Sequence, residues 1–387
     1  MTADTAVHLF EETFGGRPSG VWSAPGRVNL IGEHTDYNAG LCLPIALPHR
    51  TYAALAPRED RLLRVVSAQG DGVVEVSLDD VAAGRPAGWA AYVAGVPWSL
   101  ERAGRTVTGV DVAVDGGVPL GAGLSSSAAL ECAVAIAVSD LCGLDLSTSH
   151  EGRVTLAAAC VEAENVVAQA PTGGMDQSAA LLAEQGHALL LDCRDHTTRQ
   201  VPFDLDGHDL ALLVVDTRAE HQLVDGQYAE RRASCERAAQ ELGVASLREI
   251  AGDTLEDRLT TLSSDLLRRR ARHVVTEIAR VEAACVALEA EDYRTLGRLF
   301  LESHASMRDD FEISVPELDT AVSAATAAGA LGARMTGGGF GGSAIALLPR
   351  DEVDGARRAV ERAFAMHGFT GPESFVVTAE GPAARDL

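Results

Sequence analysis

The sequence predicts an α+β protein of two domains, and three observations lead there. At 387 residues the chain is too long for one ordinary domain and suits two, each able to bury its own core. Strand-like and helical segments are mixed along its whole length, with no internal repeat and no low-complexity tract. The texture then changes: compact apolar segments precede the run DLALLVVD at 209–216, and long charged helical segments follow it. The boundary is therefore expected near residue 205, with an N-terminal domain over 1–205 and a C-terminal one over 206–387.

Residues 4–14 place Val7, Phe10 and Phe14 on one side of a helix that Gly15-Gly16 stops. Residues 21–31 read as an extended run broken at Pro25-Gly26, followed by a polar loop over 32–40. Strands are expected over 50–55, 63–67 and 73–78, then a helix over 89–103 and a strand over 109–114. Pro119–Gly123 forms a glycine-rich turn into a nearly all-apolar helix over 125–141, which Gly143 stops. A second apolar helix is expected over 153–168, a third from Met175, and buried strands over 188–192 and 209–216. Helices over 228–242, 255–288 (with a break) and 293–309 follow. A strand-loop-strand over 332–348 and a helix over 351–367 close the pattern.

Composition narrows the function. A formal charge of −24 repels phosphate backbones over most of the surface and argues against nucleic acid as a partner. A phosphate-bearing ligand must then be received by a local set of backbone amides, a metal ion and a few Arg. All 32 basic residues are Arg, with no Lys. That excludes the G-x-x-x-x-G-K-[ST] phosphate loop, the strand Lys of protein kinases and any Schiff-base Lys. The seven Cys, at 42, 132, 142, 160, 193, 235 and 285, form no C-x-x-C pair, so reduced thiols in a cytoplasmic protein are expected. Acidic residues near the start argue against a signal peptide. No apolar run of about 18 residues suggests a membrane span.

Three glycine-bearing constellations stand out. The first, GRVNLIGEHTDYN over 26–38, gathers Glu33, His34, Thr35, Asp36, Tyr37 and Asn38 in one loop. That composition suits a polyhydroxylated ligand, since carboxylates accept from hydroxyls and fix stereochemistry; it equally suits a solvated turn. The second, PLGAGLSSSA over 119–128, leads glycines into three hydroxyls and a helix N-terminus. Phosphate binding by backbone N–H groups and the helix dipole is one reading, and an ordinary Ser N-cap is the other. The third, GARMTGGGFGG over 332–342, is too glycine-rich for core packing. Its apolar flanks speak against a linker and for a site loop needing close backbone approach. Taken alone, Asp176 reads as a helix N-terminal acid, Arg27 as its ion-pair partner, Glu164 as a helix carboxylate and Arg268–Arg272 as a solvated helix face.

In this order, over about residues 20–345, the segments resemble the GHMP kinase superfamily. GRVNLIGEHTDYN is similar to the galactokinase signature within it, PLGAGLSSSAAL to the superfamily's phosphate-binding loop, and GARMTGGGFGG to its third motif. The resemblance implies two α+β domains with the active site in the cleft between them. It also implies ATP-dependent phosphorylation of the C1 hydroxyl of α-D-galactose to galactose 1-phosphate and ADP, with Mg²⁺. By the same resemblance Arg27 and Asp176 are catalytic, and Glu33, His34, Asp36, Gly173 and Tyr228 bind the sugar. Gly121, Ala122, Gly123, Leu124, Ser125, Ser126 and Ser127 receive the ATP phosphates, and Ser127 and Glu164 hold the metal. Two positions depart from the family pattern: Thr172 stands where many relatives have Cys, and Gln169 where Gly is usual. The implied protein is a cytoplasmic monomer. Alternatives are a kinase for N-acetylgalactosamine or a related sugar, and a galactose sensor without turnover. The presence of Arg27, Asp176 and the full Ser run disfavours the sensor.

Overall fold

The computed structural model describes residues 2–219 and 224–387. Helix α1 (Ala3–Phe14) ends at Gly15 in the left-handed conformation, φ 76°, where glycine carries no Cβ penalty. Strand β1 (Gly20–Asn29) follows, then the short β2 (Leu41–Cys42), the long β3 (Pro44–Pro57), β4 (Leu62–Ser67) and β5 (Val73–Ser77). Helix α2 (Ala90–Arg102), strand β6 (Val110–Gly116), the apolar helix α3 (Ser126–Leu141) and helix α4 (His150–Glu162) come next. Helix α5 (Met175–Leu182) and the strands β7 (His187–Asp192) and β8 (Thr197–Pro202) precede β9 (Leu210–Asp216). Four helices then run on: α6 (Val224–Leu242), α7 (Leu255–Thr260), α8 (Asp265–Glu289) and α9 (Tyr293–Ser306). After α10 (Pro316–Ala327) come the paired strands β10 (Gly332–Thr336) and β11 (Ser343–Pro349), helix α11 (Val353–His367), β12 (Glu373–Val377) and β13 (Ala384–Arg385).

Three sheets result, ordered β13-β1-β3-β6-β4-β5, β10-β11-β9-β12 and β2-β7-β8. Every pairing is antiparallel except β4 with β6. Strand β1 joins two cores. Its Trp22 and Ala24 pack with residues of α2, α3 and α4 such as Val93, Ile136 and Leu156. Beyond Arg27, Val28 together with Leu30 and Ile31 packs with β9, β11 and α8, among them Val214, Ile345 and Val281. The signature segment therefore lies where the two cores meet.

The expected break at Pro25-Gly26 is instead a bulge within a continuous strand. Pro25 lies opposite Arg50 and Arg27 opposite Ala46, so β3 carries the extra residues and bends past β1. The helix expected over 153–168 changes after α4 to a π turn, Ala163–Val167, and the one over 293–309 ends in a second, Met307–Phe311. The expected break in 255–288 falls between α7 and α8. Strands β2, β8, β12 and β13 lacked a legible pattern, being two residues long or polar and exposed along one face. Among the described residues no helix is long and apolar enough to cross a membrane.

Candidate active site

A cavity of about 650 Å³ opens where the three glycine motifs meet, lined by Arg27 of the first, by Gly121 and residues 123–127 of the second, by Thr336, Gly338, Gly339 and Gly341 of the third, and by Asp176. Gly26 explains how strand and loop come together. A Cβ there would stand 2.6 Å from the Leu124 carbonyl oxygen, while the Arg27 N–H donates to that same oxygen at 3.1 Å. Arg27 is buried and grips Asp176 with Nε on Oδ1 (2.8 Å) and Nη2 on Oδ2 (2.9 Å), its Nη1 donating to Gly123 O at 2.7 Å. This fork on a carboxylate fixes both groups, and Arg27 is no surface partner.

Ser125 caps α3 in the left-handed region, φ 61°, without a side-chain bond to the helix's first turn. Its hydroxyl donates to Asp176 Oδ2 at 2.5 Å instead. The ordinary N-cap reading of this serine therefore fails: its hydroxyl is committed to Asp176. Ser127 Oγ donates to Glu164 Oε1 at 3.0 Å. Glu164 sits on the first π turn and is buried. Burial, and next the charge of Asp176, push its carboxyl up to about 7. π turns widen a helix at one point and often mark functional positions. Gln169 takes φ 58°, so the backbone here keeps the conformation glycine would favour, at a strain of about 1–2 kcal/mol.

The other end of the site is formed by the 32–40 loop. Glu33 is buried, with Asn29 Nδ2 on Oε2 (2.7 Å) and Gly337 N on Oε1 (2.8 Å). His34 Nε2 lies 2.9 Å from Gly338 O, and Nδ1 lies 2.7 Å from the Tyr37 hydroxyl. A carbonyl can only accept, so Nε2 carries the proton and Tyr37 donates to Nδ1. Burial lowers the His34 pKa to about 3, so the ring is neutral. Asp36 Oδ2 faces Gly173 so closely that a Cβ there would stand 2.1 Å from it. Burial raises the Asp36 carboxyl to about 6. Tyr228 packs with ring centroids 5.1 Å from His34 and 5.5 Å from Tyr37. The structure thus brings Glu33, His34, Asp36, Gly173 and Tyr228 together, adjoining Arg27 and Asp176.

The third motif was expected to need close backbone approach, and it does, mostly toward protein. Thr336 Oγ1 donates to Asn29 O (2.9 Å), Ser343 Oγ to Ala122 O (2.7 Å), and the Phe340 N–H to Ile313 O (2.7 Å). Gly339, at φ 84°, would place a Cβ 2.6 Å from Ile313 O. The segment stitches the first two motifs into one body. Sequence reasoning missed the support beneath the loop. Glu277 Oε1 of α8 accepts from Gly32 N at 3.0 Å and from Ser303 Oγ at 2.6 Å. Burial works to raise the Glu277 carboxyl, but Arg280 and Arg334 hold it well below the usual range. His273, one turn earlier, reaches Glu33 O with Nε2 at 3.1 Å. A Glu and a His at i, i+4 on a charged helix carried no signal beyond shared facing. A second cavity, about 340 Å³, shares Ser126 and Ser127 with the first and is lined by Trp89, Tyr92, Leu120 and Leu130.

Fold and site together define a GHMP kinase. Residues 91–184 match the GHMP kinases N-terminal domain and 284–365 the GHMP kinases C-terminal domain. A mevalonate kinase structure shares the fold, with a TM-score of 0.66 at 15% identity over 93% of this chain and 99% of that one. The narrower relation comes from residues 8–57, which match the galactokinase galactose-binding signature. The chain is 50% identical to a galactokinase of Streptomyces coelicolor, over 99% of this chain and 98% of the relative. It is 42% identical to one of Bos taurus, over 99% and 96%. The structure of Lactococcus lactis galactokinase complexed with galactose superimposes with a TM-score of 0.93 at 32% identity, covering 99% of each chain. The chain belongs to the galactokinase family. It is accordingly a kinase, an enzyme that uses ATP.

Proposed function

We propose that the protein transfers the γ-phosphoryl group of ATP to the C1 hydroxyl of α-D-galactose, releasing galactose 1-phosphate and ADP. The observation that carries this reading is the Arg27–Asp176 fork, placed between the α3 N-terminus and the polar loop of Glu33, His34 and Asp36. Glu33, His34, Asp36, Gly173 and Tyr228 would bind the sugar, directly or by shaping its pocket. The loop from Gly121 to Ser127 would receive the phosphates with backbone N–H groups and the helix dipole. The cavity beside Trp89 would take the base, its apolar lining suiting a planar ring.

Phosphoryl transfer requires in-line placement and cancellation of charge on the equatorial oxygens. Arg27 is suited to that charge, and Asp176 to the incoming hydroxyl. Three donors from Arg27 and Ser125 already engage the Asp176 oxygens. What remains for the C1 hydroxyl favours orientation, with its proton passing to Asp176 late in a loose transition state. Ser127 Oγ and Glu164 Oε1, hard oxygen donors 3.0 Å apart, fit Mg²⁺. Among the described residues no set of three or more His, Cys, Asp or Glu could hold a metal alone. That suits an ion which completes its shell with substrate phosphates and water. Bound there, it would neutralise the developing phosphate charge.

The two-domain division near residue 205, a monomeric state and a cytoplasmic location complete the proposal, and seven free thiols suit that reducing compartment. The test is ADP release across galactose, glucose, N-acetylgalactosamine and mevalonate. Turnover is expected with galactose, and its absence would overturn the proposal. Preference for N-acetylgalactosamine would move the substrate to that sugar.

A further inference from the structure

Glu131 and Asp140 are the two acids of the otherwise largely apolar helix α3, and Glu131 is fully buried. A buried carboxyl in an apolar helix is costly and needs a reason. Its Oε2 accepts from Gln177 Nε2 at 3.2 Å, and the same nitrogen donates to Glu164 Oε2 at 2.5 Å. Glu164 Oε1 in turn accepts from Ser127. Ser127 and Glu131 stand four residues apart on α3, on one face. The four side chains therefore close a ring: from α3 at Ser127 to Glu164, to Gln177, and back to α3 at Glu131. Gln177 is fully buried and directly follows Asp176.

We infer that Glu131 and Gln177 are positioning residues for the metal site, with the Gln177 amide, anchored on Glu131, fixing the Glu164 carboxylate so that Oε1 faces Ser127. The inference rests on the reading above that Ser127 and Glu164 hold Mg²⁺. A carboxylate bound by one oxygen alone can rotate and offer either edge. With Oε2 pinned, one oxygen is left for the ion, and outer partners of this kind set both affinity and geometry. Burial, and the charge of Glu164 beside it, push the Glu131 carboxyl well above its usual range. An amide of the same shape can accordingly replace it.

The experiment measures Mn²⁺ binding in the presence of a non-hydrolysable ATP analogue, by the resonance of free Mn²⁺, alongside galactose binding and thermal unfolding. The variants are Glu131→Leu, Glu131→Gln, Gln177→Met and Glu164→Gln. Glu131→Leu and Gln177→Met are expected to weaken Mn²⁺ binding about tenfold or more, with galactose affinity kept. Tm should hold for Glu131→Leu, since a buried carboxyl has been exchanged for an apolar group. Glu131→Gln should stay close to the parent, and Glu164→Gln should show the largest loss. Normal Mn²⁺ affinity in Glu131→Leu and Gln177→Met beside a weakened Glu164→Gln overturns the inference and leaves the metal reading standing. Normal affinity in Glu164→Gln overturns the metal reading itself. Parallel loss of Mn²⁺, galactose and Tm in Glu131→Leu also overturns the inference, showing a merely structural acid. If Glu131→Leu is insoluble, Gln177→Met decides by the same criteria.

Discussion

The two ends of the active-site cleft are built on opposite terms. At the sugar end the polar side chains are tied to the protein: both His34 nitrogens and both Glu33 oxygens have partners within it. Glu277 and His273 hold the backbone of the same loop from below. At the phosphate end, negative groups are gathered around Arg27. Asp176 has Arg27, but Glu164 is buried with neutral donors only. One end is a mould whose Glu33 and His34 are already fixed by the protein, and on the proposed reading they would meet the sugar preset. The other is electrostatically incomplete and suited to an incoming ion and nucleotide. Specificity and chemistry should therefore separate under mutation.

The largest separation is expected at Asp176. Asp176→Asn keeps the shape and removes the charge, so kcat should fall about 10²–10⁴-fold while galactose affinity, measured by calorimetry, is kept. A near-normal rate would remove Asp176 from the chemistry; lost galactose binding would show that the two ends are not separable.

Next in size is a pH effect on the ligand-free protein. Burial raises Glu164 to about 7 and Asp36 to about 6 from ordinary values of 4.5 and 3.8. Native protein then holds protons that unfolded chain has released. Stability is full below the unfolded values and is lost as pH rises through the folded ones. Glu164 alone accounts for roughly 3 kcal/mol of that loss. Tm should fall from about pH 4 to 7 and level off above, and Glu164→Gln should flatten the upper part of the fall. MgATP should restore Tm above neutrality in the parent and not in the variant. An unchanged slope in Glu164→Gln would mean that the phosphate end is already charge-balanced.

At the sugar end, Gly173→Ala tests the mould by sterics alone. The new methyl would meet Asp36 Oδ2 at 2.1 Å, so the carboxylate must move. Losing one well-placed hydrogen-bonding group is worth about 1–3 kcal/mol, and the KM for galactose should rise accordingly with the KM for ATP unchanged. A normal galactose KM would show that Asp36 is free to shift.

Much of this was legible in the sequence because glycines and polar loops punctuate it. The three motifs, in order, located the cleft, and Arg27 and Asp176 do meet there, with Glu164 reached through Ser127. What escaped was whatever depends on distant packing. Nothing in the local pattern shows that Glu131 and Gln177 share a bond across 46 positions. The support of the sugar loop by Glu277 joins residues 245 apart. A helical period also says nothing about a π turn, since one added residue leaves the apolar face nearly intact. The third motif is instructive in the other direction. Its glycines were expected to approach something closely, but composition could not reveal that most of what they approach is protein.

The smallest predicted effect is at Gly121, and it completes the contrast with Gly173. Gly121 lies at φ 74° with nothing within 4 Å of an added Cβ, whereas Gly173 has ordinary φ and no room. Gly121→Ala therefore introduces conformational strain without a clash, about 1 kcal/mol. If the loop holds its shape, that strain appears as a small drop in Tm, with ATP binding nearly normal. If the loop relaxes toward negative φ, Tm is kept and the KM for ATP rises several-fold, because the backbone N–H groups turn away from the phosphates. Galactose affinity should be untouched in either case. A change in galactose affinity would show the strain reaching the sugar end through Gly123 and the Arg27 guanidinium bonded to its carbonyl. That result would make the two ends one mechanical unit.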